Sequence, residues 1–286
     1  MARAEDQRPG SQVGNRSSRI LGGPAGVRSA AIATVSTVVV FGAIAAVVVS
    51  SPGWDAVRAS FFYWPEFRES LPDIAEAFKT NVKLFLIAEV LILVFALFLA
   101  ILRGLPGPAF FPLRLLSAAY TDVFRGIPTI LLIYMLGFGV PALALRGVPR
   151  SEFFWGLMAL VLVYSAYVAE VYRAGIDSVH PSQEAAARSL GLTRAQALRH
   201  VVVPQAVRRV IPPLLNDFIG LQKDTALVAL LGLVEAFRQS QIEVAGSFNF
   251  TPYLATALLF LVLTIPLTRL ADWLIARNRR RELARA

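Results

Sequence analysis

Six long apolar stretches constrain this chain more than anything else in it. They run approximately over 31–50, 82–102, 112–138, 153–174, 210–232 and 253–275. A helix of about 20 mainly apolar residues covers a hydrocarbon core of roughly 30 Å, so each is a candidate membrane span. Fifty-six per cent of the 286 residues are apolar and 16% are charged, which argues against a water-soluble fold. The expected fold class is all-α, a polytopic membrane helical bundle of about six transmembrane helices.

The first stretch, AIATVSTVVVFGAIAAVVVS, follows arginines as a signal peptide would. Its apolar run is too long for a signal core and no A-x-A site follows, which favours an uncleaved anchor over residues 30–50. The third is interrupted by Arg125-Gly126-Ile127-Pro128 and the fifth begins with Pro212 and Pro213. Broken helices at membrane depth are tolerated where protein or a cavity satisfies the freed backbone groups.

Orientation follows from the basic residues. Nineteen of them fall in the 1–29 tail, the 103–114 turn, the 173–209 loop and the tail from Arg269 onward, against six on the opposite side beside eight acids. The positive-inside bias then puts both termini in the cytoplasm of a multi-pass protein of the cell membrane. The net charge of +9 thus reflects topology, and no nucleic-acid partner is expected. Residues 51–79 form the one sizeable extracytoplasmic segment, with Phe-Phe-Tyr-Trp at 61–64 suited to a short interfacial helix. A docking surface for an external partner is the second reading of that segment.

Cysteine is absent and only His180 and His200 are histidines, so neither a metal site nor any other cofactor is expected. There is no G-x-x-x-x-G-K-S/T phosphate loop, catalytic triad or dinucleotide fingerprint, and an enzyme reading has no residues to stand on.

Several charges lie inside the apolar stretches. Glu89 is in the second, Glu170 deep in the fourth, and Asp217, Lys223 and Asp224 in the fifth. A charge at a helix centre costs about 2.5–3.5 kcal/mol on the insertion scale, so these groups are expected to face one another, the bundle interior or water. Asn216 and Lys223 share one helical face, as do Asp217 and Asp224. A single polar strip ending near Thr225 predicts a translocation path or gate; the alternative is an ion-pair network that only joins helices. Asp122 and Arg125 beside Pro128 leave the same choice, a gate kink or a structural elbow held by an i, i+3 pair. Glu170 and Arg173 are read as a structural pair.

The 177–206 loop is long for a passive connection. Pro181, Ser182, Gln183, Glu184, Ala185, Ala186, Ala187 and Ser189 favour a short helix, Leu190-Gly191-Leu192 its termination, and Thr193 the cap of a second helix through His200. Small alanines on the exposed face would let this helix, turn, helix unit fit a groove of another protein; the plain alternative is a solvated loop.

At this loop the sequence resembles the integral-membrane permease subunits of ATP-binding-cassette importers, whose signature is EAA, three residues, Gly, nine residues, I-x-L-P. Gly191, nine residues and Val201-Val202-Val203-Pro204 match its second half, whereas Ala185 takes the glutamate slot with Glu184 one residue earlier. YTDVFRGIP at 120–128, AYVAEVYRAGI at 166–176 and LLNDFIGLQKDTALVALLGLVE at 214–235 are similar to strings of the polar amino acid branch, which moves histidine, glutamate, glutamine, arginine and opines.

The resemblance implies a type I importer transmembrane domain over residues 80–275, five core spans plus the added N-terminal anchor, with a basic tail over 276–286. It implies two permeases, identical or paralogous, two separate ATPase subunits and an extracytoplasmic solute-binding protein. Residues 181–193 would be the ATPase-coupling helix and turn, Pro128 and Pro204 hinges, and Asn216 to Thr225 the gate. The added acids favour a cationic solute, Lys223 and Arg125 a substrate carboxylate, and the arginine-rich, extra-anchor architecture resembles an actinobacterial glutamate permease. The competing class is a transporter or channel driven by ion gradients through Glu89, Glu170 and Asp217, for which no inverted repeat is visible.

Overall fold

The computed structural model describes residues 24–283, so most of the N-terminal basic tail and Arg285 lie outside the described residues. Among them every regular element is helical. The chain divides after Ala59. In the first unit, α1 (Pro24–Val49) is a helix whose described side chains are all exposed. It is about 39 Å long at 1.5 Å per residue, enough to span a membrane.

The short helix α2 (Trp54–Phe61) runs across the boundary, and in the second unit α3 (Trp64–Gly104) runs 41 residues without a break despite Pro72. The expected limit at residue 80 between an external segment and the transport domain therefore falls inside one continuous helix. Leu84, Ala88, Ile92, Ala96 and Leu99 of α3 are buried at the spacing of one helical face. They pack against Leu157, Leu160 and Val163 of α7 (Glu152–Asp177) in the main apolar core. Ile74 forms a smaller core with Ala236 of α11 (Ala236–Ser247) and Ala255 of α12 (Thr251–Leu283).

The third apolar stretch is sharply broken. It comprises α4 (Phe111–Gly126), α5 (Thr129–Tyr134), a π-turn at Met135–Gly139 and α6 (Val140–Ala142), with a 102° bend at Ile127-Pro128. Proline removes a donor and pushes the preceding residue out of the helical region, and Ile127 takes an extended ψ of 129°. A Cβ at Gly126 would meet nothing within 4 Å, so among the described residues no other helix packs closely at that glycine.

Among the described residues four helices are long and apolar enough to cross a membrane, or five if the bent pair is one span. The fifth expected stretch, 210–232, is helical as α10 (Val203–Asp224) plus a 3-10 segment (Thr225–Leu231). Its internal charges take it out of that set, and Pro212 and Pro213 sit inside an unbroken helix rather than starting one.

The crossing of α7 and α10 depends on Gly175, where a Cβ would stand 2.1 Å from a methyl of Val210 and 3.4 Å from the Ala206 carbonyl. Gly175→Leu is expected to lower stability by about 1–3 kcal/mol through overpacking. Gly126→Ala is the control, and heat-induced loss of the monodisperse detergent-solubilised protein is the measurement.

Candidate functional site

The 177–206 segment folds into a compact module. His180 caps α8 (Pro181–Ser189), its imidazole accepting from the Ser182 backbone N–H at 3.2 Å. The helix ends in a Schellman arrangement, with Gly191 N donating to Arg188 O at 3.0 Å and Leu192 N to Ala187 O at 3.3 Å. Gly191 has φ +89°, a left-handed conformation that a side chain would strain. Thr193 and Gln196 form a reciprocal capping box for α9 (Arg194–Ala197). Arg194 and Glu184, 3.8 Å apart, link the two short helices.

The second helix then departs from the simple expectation. It passes through a π-turn at Leu198–Val202 and continues as α10, so Pro204 lies in the first turn of that long helix with a π-turn immediately before it. Val179, Val202 and Ala206 pack together beneath the module, and Arg209 donates to the Ser178 carbonyl. Ala185, Ala186, Ser189 and Leu190 point outward, Leu190 being 82% exposed. The module thus presents a small-residue surface while tied to the ends of both α7 and α10.

Above it lies an ion network. Arg103 of α3 donates to Glu170 at 3.2 Å and to Thr121 of α4 at 3.0 Å. Arg173 pairs with Glu170 and Asp177 on its own helix. The expected Glu170–Arg173 pair is present, and Arg103 joins it to two further helices.

Further along α10 the polar face divides. Asn216 and Lys223 are exposed, whereas Asp217 and Asp224 are half-buried. Asp224 accepts a 2.9 Å hydrogen bond from the Tyr164 hydroxyl of α7, and Asp217 lies close enough to Glu89 of α3 for an electrostatic interaction. One polar strip is corrected to two, because neighbouring positions on a helix differ by 100° and α3 and α7 cover one of the two faces. Nor do Lys223 and Asp224 form a contact ion pair among the described residues.

Asp122 and Arg125 likewise do not pair: both are exposed, and the Arg125 guanidinium lies 5.6 Å from the centre of the Tyr167 ring.

A fourth constellation escaped the sequence reading. Glu235, 1% exposed, caps α11 by accepting from Phe237 N at 3.0 Å and Arg238 N at 2.7 Å. Asn81 of α3, 2% exposed, donates to Glu235 at 2.7 Å and to Thr225 at 3.2 Å, and accepts from Ala236 N at 3.0 Å. Burial raises the Glu235 carboxyl above its ordinary range against the opposing pull of these donors. Glu235 following Gly232 before a new helix was the available local signal; its partner Asn81 had none.

A multi-pass helical bundle with half-buried charges along α3, α7 and α10, and a capped helix-turn-helix module bolted to two of those helices, defines a membrane transport subunit. Residues 107–280 match the family described as binding-protein-dependent transport system inner membrane component. The chain is 33% identical to the probable amino-acid permease protein YxeN of Bacillus subtilis (strain 168), over 73% of this chain and 92% of that one. It is 30% identical to the arginine transport system permease protein ArtQ of the same organism, over 69% and 89%. A solved amino acid ABC transporter crystallised with histidines superposes with a TM-score of 0.66 at 32% identity, covering 72% of this chain and 94% of that one. The MetNI methionine transporter in an inward-facing form shares the fold alone, with a TM-score of 0.58 at 17% identity.

The chain belongs to the binding-protein-dependent transport system inner membrane component family. It is therefore a multi-pass membrane permease subunit of an ATP-driven importer, and ATP hydrolysis is the work of a separate subunit.

Proposed function

We propose that this permease imports a polar amino acid, and that the 181–193 module is where the ATPase drives it. The observation that carries the coupling reading is the attachment of the module at both ends, through Arg209 to Ser178 and through the Val179, Val202 and Ala206 cluster. A push on α8 cannot be absorbed locally and passes to α7 and α10, the helices that carry Glu170, Asp217, Lys223 and Asp224. The printed names of YxeN, ArtQ and the amino acid transporter support the substrate class.

Two such permeases, identical or paralogous, stand over two ATPases, with a solute-binding protein delivering substrate from outside. Both termini face the cytoplasm. The half-buried carboxylates Glu89, Asp217 and Asp224, with Tyr164, line or control the path inside each permease. Asn216 and Lys223 face the space beside it, and Thr225 closes the Asn81 and Glu235 clamp. Asp122, Arg125 and Pro128 form the elbow at the broken span, and Pro204 with its π-turn is the flexible joint above the module.

The test is reconstitution of the permease with its ATPase and binding protein in vesicles. Uptake of glutamine, arginine, histidine or glutamate that requires both ATP and the binding protein is the expected result; uptake by the permease alone under an ion gradient would overturn it. Because the chain has no cysteine, orientation can be read with Ser51→Cys and Ser189→Cys. An impermeant maleimide added outside should label the first only, and reversed labelling would refute cytoplasmic termini.

A further inference from the structure

Lys83 marks one end of the membrane-spanning part of α3. Its ammonium lies 5.5 Å from the centre of the Phe153 ring, and Phe153 is the second residue of the Glu152–Asp177 span. Arg103 marks the other end, bonded to Glu170 on the side of the 181–193 module. Between the two, α3 rises about 30 Å, the thickness of a hydrocarbon core. Lys83 thus stands where hydrocarbon meets headgroups, in the leaflet away from the module.

Lys83 and Lys79, one helical turn apart, rim an open groove of about 440 Å³ whose other lining residues are Phe78, Val82, Leu86 and Ile87. Lys79 is paired with Glu76. Lys83 is exposed, and among the described residues no carboxylate pairs with it. From the groove an apolar strip continues along the same face of α3, where Leu86, Val90, Val94 and Leu97 are exposed and fall within about 80° of one another.

We infer that this face of α3 is a binding site for an anionic phospholipid, its phosphate held by the Lys83 ammonium and an acyl chain laid along Leu86, Val90 and Val94. The site joins one uncompensated cation to a long apolar track at the depth where a phospholipid joins the same two features. A free anion would satisfy the ammonium and leave the track bare, and a hydrocarbon alone would leave a charge unpaired at the edge of the bilayer core. A zwitterionic headgroup brings its own ammonium beside two lysines, so a net negative one is favoured.

A second copy of the permease fits this face less well. A two-fold interface uses the same patch on both subunits and would gather the two Lys83 ammoniums onto one surface. The strip also has none of the small residues that let membrane helices approach closely; Ala88, Ala96 and Ala100 of α3 are all buried in this chain. The inference does not depend on which solute is carried.

The experiment places the assembled transporter in vesicles of phosphatidylglycerol and phosphatidylcholine in equal parts. The chain has three lysines, Lys79, Lys83 and Lys223, so in ¹⁵N-lysine permease three side-chain nitrogens report on lipid ³¹P. A ¹⁵N–³¹P separation of about 4 Å, as a direct ammonium–phosphate contact requires, is expected at Lys83 and should vanish in Lys83→Gln. Phosphatidylglycerol retained on the extracted complex, counted by mass spectrometry, should exceed phosphatidylcholine. It should fall roughly fivefold in Lys83→Gln, the effect of one basic residue near an anionic bilayer surface. Lys83→Arg should keep it, and Lys79→Gln should change it less, because Glu76 already holds that ammonium.

Equal retention of the two lipids by wild type, or unchanged retention in Lys83→Gln, would overturn the inference. So would a Lys83 contact with the second permease in place of lipid, or a contact reproduced in full by inorganic phosphate in lipid-free detergent, which would make this a plain anion site. Should Lys83→Gln assemble poorly, the wild-type ¹⁵N–³¹P contact and the retention by Lys83→Arg decide the matter, and absence of that contact refutes the site.

Discussion

Glu235→Ala is expected to cost the folded permease about 3 kcal/mol or more, because it strands several buried donors at once. The carboxylate serves Phe237 N, Arg238 N and the Asn81 amide, and each buried group left without a partner costs about 1–3 kcal/mol. Bulk solvent does not touch the position, since Glu235 and Asn81 are 1% and 2% exposed. Glu235→Gln keeps the shape but turns an NH₂ toward other donors, so it should fall between wild type and alanine. Asn81→Leu should resemble Glu235→Ala, and the double variant should cost less than the sum because the two groups share one bond. Abundance in the membrane and thermal stability in detergent measure all four. Wild-type stability in Glu235→Ala would show that the clamp does not hold α3 to α11.

The second large effect is functional. Gly191→Arg should reduce ATP-driven uptake by tenfold or more while leaving insertion and abundance near normal, on the reading that 181–193 contacts the ATPase. A Cβ at Gly191 meets nothing within 4 Å inside this chain, so its bulk and charge project outward. The φ of +89° adds strain of about 1–3 kcal/mol for a non-glycine residue, borne by an exposed turn rather than by the core. Gly191→Ala carries that strain with little bulk and is the control. Loss of uptake in the arginine variant alone, with release of the ATPase on purification, is the expected pattern. Equal uptake in both variants and wild type would remove the coupling role from this turn.

The same contrast between local and distant causes decides what could be read in advance. Spans were legible because a backbone in hydrocarbon must satisfy its own hydrogen bonds, which turns a run of about 20 apolar residues into a helix whatever surrounds it. The α8 and α9 module was legible for a similar reason: Gly191 and the Thr193 and Gln196 capping box act within a few residues, and the structure has the helix end and the cap where they were expected. The Glu170–Arg173 pair sits on one helix at i, i+3 and was likewise visible.

Pairings across helices were not. The sequence by itself determined an all-helical membrane chain, its break at Pro128, its two-helix module and the presence of charges at depth, since each depends on period, length or near neighbours. Which way those charges face was decided by the tertiary structure. Asp224 meets Tyr164 from 60 residues away, Arg103 meets Glu170 from 67, and Asn81 meets Glu235 from 154. Asp122 and Arg125, close in sequence, do not pair at all. A helix fixes the angle between its own side chains but not its rotation about its axis; that rotation is set by packing such as Gly175 against Val210. It turned Asp217 and Asp224 inward and left Lys223 exposed.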